Sequence, residues 1–216
     1  MTVAVPTLGL ERRLLREHPL VVACDEVGRG ALAGPVAVGA AAVGVRHARR
    51  RMPDGLRDSK LIPESRRAAV AERAAAWVEA SAVGWASSQE VDEVGIIRAL
   101  GIAAHRAIAG LGLDLADAVL ILDGNHDYIS LAGPAPCAVT TVVKADRDCA
   151  SAAAASVVAK VARDGHMVAL HETAPAYGWL RNKGYASLEH RAAIREHGLS
   201  VHHRTSWAIS DAPTLF

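Results

Sequence analysis

Residues 20–43 read LVVACDEVGRGALAGPVAVGAAAV, and this stretch decides the architecture built around it. Residues 20–24 are a short, Val-rich apolar run of the kind that forms a buried strand. The run ends in Asp25 and Glu26. Gly28, Gly30, Gly34 and Pro35 then mark a turn, and residues 36–45 alternate Val with small residues as a second strand, the hairpin partner of the first. Neighbouring strand residues point to opposite faces, so Asp25 and Glu26 reach one site only where the strand ends, bulges or twists. The glycines that follow supply the backbone freedom for such a distortion.

Outward from this hairpin, strands and helices interleave. Pro63 sits in the first turn of a helix running to about residue 80, residues 82–87 form a third strand, and Ser88 caps a helix over residues 90–109 closed by Gly110 and Gly112. Residues 118–122 (AVLIL) are the clearest buried strand and end in Asp123-Gly124. Residues 138–143 form a fifth strand leading into Lys144-Ala145-Asp146. Residues 151–163 form a packed helix begun near Asp148 or Ser151, and residues 188–196 another, with loops around Pro175 and Gly184. The alternation indicates an α/β layer architecture.

Three strands thus run directly into acids: Asp25 with Glu26, Asp123, and Asp146. If these strands are neighbours, four carboxylates converge, and unpaired carboxylates raise one another's pKa. Hard divalent cations such as Mg²⁺ or Mn²⁺ relieve that repulsion. Two such ions activate a water and steady a leaving oxygen, which is the chemistry of phosphodiester hydrolysis. Spacing alone also allows these acids to be ordinary turn residues or caps.

The 216 residues are 51% hydrophobic and 22% charged, which supports a globular core and argues against disorder. Only 4% are aromatic, so Ala and Val carry the packing. A net charge of +1 is far from that of a general nucleic-acid coat protein. The charge is uneven, however. Residues 46–60 hold Arg46, Arg49, Arg50, Arg51, Arg57 and Lys60 against Asp54 and Asp58. Residues 144–207 hold nine Lys and Arg, Arg163 and Arg204 among them, against six acids, with six of the ten His. Both segments are candidates for phosphate contact. Three Cys without a CxxC pair exclude a disulfide framework or zinc knuckle, and Cys24 reads as a small core thiol. No segment reads as a leader or membrane span, which points to a cytoplasmic protein. His202-His203 lacks a partner set for zinc and reads as a loop or nucleic-acid contact. Lys160 and Asp164, four apart, form a helix-surface pair. Lys144 and Arg147 face nucleic acid or pair with nearby acids, and Asp148 and Asp164 are capping or structural. The C-terminal SDAPTLF holds no evident clamp-binding motif.

The segment CDEVGRGALAGPV closely resembles the signature of ribonuclease HII, the type 2 ribonuclease H family, usually DEAGRGPLAGPV, with Val27 and Ala31 replacing Ala and Pro. The resemblance continues, in the family's order and over nearly the whole chain, through Asp58-Ser59-Lys60, Leu122-Asp123-Gly124, KADRDCASAAAASVVAKVARD (144–164), NKGYASLEH (182–190) and HHRTSW (202–207). It implies a ribonuclease H-like mixed five-stranded sheet flanked by helices, as a single catalytic domain over residues 1–216 with a C-terminal helical extension from about residue 165. It implies that Asp25, Glu26, Asp123 and Asp146 are catalytic and bind two divalent ions, Mn²⁺ or Mg²⁺. Gly28, Arg29 and Gly30 would sense the ribose 2′-hydroxyl, Tyr185 would check the sugar at the junction, and Lys60 would contact a phosphate. The implied activity is endonucleolytic cleavage of the RNA strand of RNA–DNA hybrids, and cutting 5′ of ribonucleotides embedded in duplex DNA, leaving 3′-hydroxyl and 5′-phosphate ends. A monomer acting on these nucleic acids, with no membrane and no deducible protein partner, is the expectation. Type 1 or type 3 ribonuclease H is the competing nuclease reading. Type 1 lacks the adjacent Asp-Glu and GRG, and type 3 carries a long N-terminal extension for which Asp25 leaves no room. A non-catalytic hybrid-binding module is the other alternative, and it gains nothing from four acids facing phosphates.

Overall fold

The structure, a computed structural model, describes residues 5–207. After α1 (Gly9–Leu14), β1 (Leu20–Val27) and β2 (Val36–Gly44) form an antiparallel hairpin. Then come α2 (Val45–Ala48), α3 (Glu64–Trp77) and β3 (Ala80–Ala86), which is antiparallel to β2. Next are α4 (Ser88–Val94), α5 (Ile96–Gly110), β4 (Val119–Asp123), α6 (Tyr128–Ala132) and β5 (Ala138–Val142). β4 lies parallel to β1 and β5 parallel to β4. α7 (Ala145–Asp148), α8 (Ala150–Thr173), α9 (Trp179–Asn182) and α10 (Leu188–His197) follow. The strand order β3-β2-β1-β4-β5 makes the expected mixed five-stranded sheet.

The two faces of the sheet are sorted by strand parity. Val22, Cys24, Val38, Leu120 and Leu122 pack with Leu100 and Ala104 of α5 on one face. Val21, Ala23 and Ile121 pack with Ala152 of α8 on the other, and Ala41 and Val43 meet Ala154, Ala155 and Trp77 there. Large aromatics are scarce, so the core fills by close approach instead. A Cβ on Gly39 would collide with the Ala155 carbonyl oxygen, which shows how near α8 lies to β2. Cys24 is fully buried in this core, as expected of a core thiol, and the described cysteines are all free.

Several local expectations are corrected. Ser87, not Ser88, is the N-cap. Its hydroxyl accepts the Glu90 N–H and its own N–H donates to the Glu90 carboxylate, a reciprocal capping box. The single helix expected over 90–109 breaks at Gly95, whose φ of +78° cannot continue a helix, giving α4 and α5. α3 ends at Trp77 because the Glu79 N–H is already drawn into the sheet by the Ala42 carbonyl. α8 does begin between Asp148 and Ser151, as expected, but neither side chain caps it. The cap is Glu11 of α1, a fully buried carboxylate that accepts both the N–H and the hydroxyl of Ser151 at 2.8 Å. Position 165, where the extension is expected to begin, lies inside α8, whose first half packs on the sheet and whose second half meets the helices after it. No described helix is long and apolar enough to cross a membrane. Residues 210–216, with SDAPTLF, lie outside the described residues.

Candidate functional site

β1, β3 and β4 run the same way, so their carboxyl ends share one edge of the sheet. β1 outruns β4, since their pairing stops at Cys24↔Leu122, and Asp25 and Glu26 project past it beside Asp123. Of the three ways expected to bring both acids to one site, a bulge is not the one used: the β1–β2 register is unbroken through Val27↔Ala37. Asp25 therefore faces α8, as Ala23 does, and Glu26 faces the α5 side, as Cys24 does. The two acids share the site because it lies on the rim of the sheet, where both faces open.

Each acid rests on a different partner. Asp123 accepts the N–H groups of Ala145 (2.6 Å) and Asp146 (3.3 Å), which docks α7 on the end of β4. Lys144 makes the bend between β5 and α7 in a left-handed conformation, φ +62°, unusual for a side chain that size. Asp146 is thereby delivered to the rim, 3.5 Å from Lys60 Nζ. Glu26 accepts the Tyr128 hydroxyl at 3.3 Å and pairs with Arg29 at 3.5 Å. Asp25 is only 5% exposed, beside Ser156. Lys60 is aimed at these acids by its turn: Asp58 accepts the Lys60 N–H, and the Ser59 and Ser156 hydroxyls share a hydrogen bond at 2.9 Å.

The electrostatics follow from this crowding. Burial pushes the Asp25 carboxyl well above the usual range, and Glu26, Asp123 and Asp146 add to it against a hydrogen bond from Ser156. Burial raises Asp123 too, with Glu26 adding and its two backbone donors and Lys60 opposing. Asp146 is raised by burial, Asp123 and Asp58, and lowered by Lys60. Burial works to lower Lys60, but Asp25, Asp58 and Asp146 together hold it above its ordinary value. Among the described residues no group of three or more His, Cys, Asp or Glu is arranged to hold a metal ion as the side chains stand. The donor set nonetheless suits a hard divalent cation: four carboxylates, three of them with pKa values raised by burial and by neighbouring acids.

The glycine loop adjoins the acids. Gly28 (φ +84°) donates its N–H to the Tyr185 hydroxyl at 3.2 Å, and a Cβ there would land on the Arg163 guanidinium. The Tyr185 ring lies 5.3 Å from Arg163 Cζ and 5.9 Å from Lys160 Nζ. Lys160 and Asp164 pair at 2.8 Å as expected, but largely buried, with Arg67 on the far side of Asp164 at 3.8 Å. Arg147 pairs with Asp148 at 2.7 Å.

Two expectations fail here. Arg163 and Arg204, placed among the phosphate-contact candidates, are fully buried. Arg163 donates to the carbonyls of Pro35, Lys183 and Ala33, and Arg204 to those of Gly28, Arg29 and Gly34. His203 does lie in a loop, but it is not exposed for nucleic-acid contact. It is 2% exposed, packed on Tyr177 and Trp179, and 3.1 Å from His190. Tyr128 and Glu11, both buried, were not singled out at all, and nothing local marks them: their partners are 102 and 140 residues away.

The family model described as Ribonuclease HII matches residues 22–210. The chain is 49% identical over 212 residues to Ribonuclease HII of Streptomyces griseus subsp. griseus, covering 96% of this chain and 86% of that one. With Ribonuclease HII of Cereibacter sphaeroides it shares 43% over 210 residues, covering 96% and 93%. Among solved structures it resembles the ribonuclease H2 from Pyrococcus horikoshii OT3, with TM-score 0.70 and 22% identity over 88% of this chain and 94% of that one. It also resembles Bst-RNase HIII in complex with Mn²⁺, with TM-score 0.71 and 22% identity over 95% and 71%.

Proposed function

This chain belongs to the ribonuclease HII family, and we propose from that premise that it cuts DNA duplexes on the 5′ side of embedded ribonucleotides as well as the RNA strand of long hybrids. Membership itself makes it a hydrolase, an endonuclease acting on RNA in RNA–DNA hybrids. The observation that carries the finer reading is the contact between Gly28 N–H and the Tyr185 hydroxyl, which joins the glycine loop following Asp25 and Glu26 to Tyr185. An RNA strand differs from DNA there only by its 2′-hydroxyl.

Asp25, Glu26, Asp123 and Asp146 would hold two divalent ions, Mg²⁺ or Mn²⁺; the Mn²⁺ in the Bst-RNase HIII structure supports that choice. Bound there, the ions would supply an activated water and steady the leaving 3′ oxygen. The protein's own part is positional. The backbone donors of α7 fix Asp123, Tyr128 fixes Glu26, and Lys60 offsets the negative charge at Asp146 while remaining exposed to a phosphate. Residues 1–216 would act as one catalytic unit.

A duplex carrying one ribonucleotide, incubated with Mg²⁺, Mn²⁺ or chelator, tests this with wild type and Asp123→Asn. Metal-dependent cutting 5′ of the ribonucleotide, lost in the variant, is expected. Cutting of long hybrids only would overturn the junction reading and the recognition role of Gly28, Arg29, Gly30 and Tyr185.

A further inference from the structure

The loop over residues 28–35 has glycine-rich backbone that no sheet or helix holds, yet it must keep its shape for a sugar to be read. Two guanidiniums hold it from beneath. Arg204 donates through Nη2 to the Gly28 carbonyl at 2.7 Å, through Nη1 to the Arg29 carbonyl at 2.8 Å, and through Nε and Nη2 to the Gly34 carbonyl at 3.3 and 3.2 Å. It reaches them because residues 202–204 lie alongside the loop, with the Gly34 N–H on the His202 carbonyl and the Arg204 N–H on the Leu32 carbonyl. Its ring-side neighbour is Trp207, 4.8 Å away. No carboxylate accepts from this fully buried guanidinium among the described residues; all its acceptors are loop carbonyls.

A trans peptide is planar, with the C=O of one residue pointing opposite to the N–H of the next. Turning the Gly28 carbonyl inward turns the Arg29 N–H outward, and turning the Arg29 carbonyl inward turns the Gly30 N–H outward. Both Arg29 and Gly30 are exposed, and neither N–H donates within the described residues. A Cβ built on Gly30 meets nothing within 4 Å, so the approach to these donors is open. The Gly28 N–H, by contrast, is taken by Tyr185.

We propose that Arg204 is a positioning residue: by fixing the Gly28 and Arg29 carbonyls it presents the Arg29 and Gly30 N–H groups as a paired donor for the 2′-hydroxyl oxygen of the ribonucleotide. The proposal rests on the junction reading above. Arg204 touches no substrate, and its effect passes through two peptide planes. A lysine cannot replace it, because one ammonium on a flexible stem cannot span three carbonyls as a planar fork does.

The test uses Arg204→Lys and Arg204→Gln, with melting temperature, kcat and KM measured on the duplex with one ribonucleotide. Duplex binding through phosphates is untouched, so KM stays at the wild-type value while kcat falls at least about tenfold, the loss of one well-made hydrogen bond to the sugar. Millimolar guanidinium added to Arg204→Ala restores part of that kcat. A folded variant with wild-type kcat, or one whose loss lies wholly in KM, overturns the role. Should the variants fail to fold, amide resonances decide it in Asp123→Asn. Arg29 and Gly30 amides shift with the ribonucleotide duplex and stay in place with its all-DNA counterpart; equal shifts with both overturn the donor pair. If wild type does not cut the ribonucleotide duplex at all, the junction reading fails first, which is a separate result.

Discussion

The Gly28 backbone N–H donates to the Tyr185 hydroxyl at 3.2 Å across 157 residues of chain. That bond ties the end of β1 to the loop before α10, and in the proposed function both hold still while a sugar is recognised between them. Tyr185→Phe removes the acceptor while keeping the ring against Arg163. The variant folds, and its cutting at a lone ribonucleotide slows about fivefold, since a lost hydrogen bond is worth about 1 kcal/mol. Single-turnover cleavage measures it. A phenylalanine variant as fast as wild type would remove the hydroxyl from recognition.

Asp25 sits buried among like charges, a cost that the proposed cation site would account for. Its folded pKa lies above the unfolded one. Its contribution to stability is therefore fully present below the unfolded pKa near 4 and is lost as pH rises through the raised folded value. At neutral pH with chelator, Asp25→Asn should be more stable than wild type by about 1–3 kcal/mol and inactive. Divalent cation should raise the melting temperature of wild type and leave the variant's unchanged. An Asp25→Asn protein that melts lower than wild type in chelator would contradict the strain.

Lys60 stands 3.5 Å from Asp146 and lowers its pKa and that of Asp123. Lys60→Met takes that help away, so both carboxyls lose protons only at higher pH. The acidic limb of the pH–rate profile then shifts upward, by less than about one unit because the lysine is exposed and solvent screens it. A limb that stays put, with only KM raised, would confine Lys60 to phosphate contact.

How much of this was legible in the sequence depended on the range of each interaction. β1 and β4, which carry Asp25 and Asp123, could be read from apolar runs because strand burial is written locally, whereas Asp146 lies on α7, beyond the end of β5. Their gathering on one rim follows from β1 and β4 being parallel neighbours, which the sequence alone left as a condition. The positions of Arg163 and Arg204 could not be read that way. An arginine in a polar segment looks like a surface charge, and only the folded loop supplies the carbonyls that make its burial tolerable. Glu11 as the cap of α8 was hidden for the same reason: caps are sought next to the helix, and this one comes from α1. Gly95 was misread by another route, since a helical pattern continues on both sides of it while its φ does not.

Close packing of α8 on β2 predicts a specific sensitivity. Gly39 faces the Ala155 carbonyl with no room for a methyl group, and neither strand nor helix can retreat without opening the alanine face. Gly39→Ala costs about 1–3 kcal/mol of stability. Chemical denaturation reads it as a lower midpoint with an unchanged slope. The alanine's higher intrinsic strand preference would dominate only if α8 moves freely, and a neutral or stabilising result would establish that.

The histidine pair in the C-terminal part is locked in one proton arrangement. His190 Nδ1 faces the Tyr185 carbonyl at 2.9 Å and so carries a proton, which leaves Nε2 to accept from Trp179 Nε1 and from His203 Nε2, both at 3.1 Å. His203 Nδ1 then accepts from the Ser200 N–H at 2.9 Å. A proton added to either ring breaks the chain. Burial lowers both pKa values, and that of His203 is brought down to about 4. The unfolded rings take up protons near 6.5, so stability falls as pH drops from there to about 4 and is flat below it, by on the order of 1–3 kcal/mol. His203→Gln keeps a donor toward His190 but loses the titrating group. Its stability should vary less with pH across that window than the wild-type protein's, whose His190 Nε2 can no longer accept from Trp179 and His203 once it takes up a proton. Equal pH slopes for the two proteins would show that some other group governs acid stability.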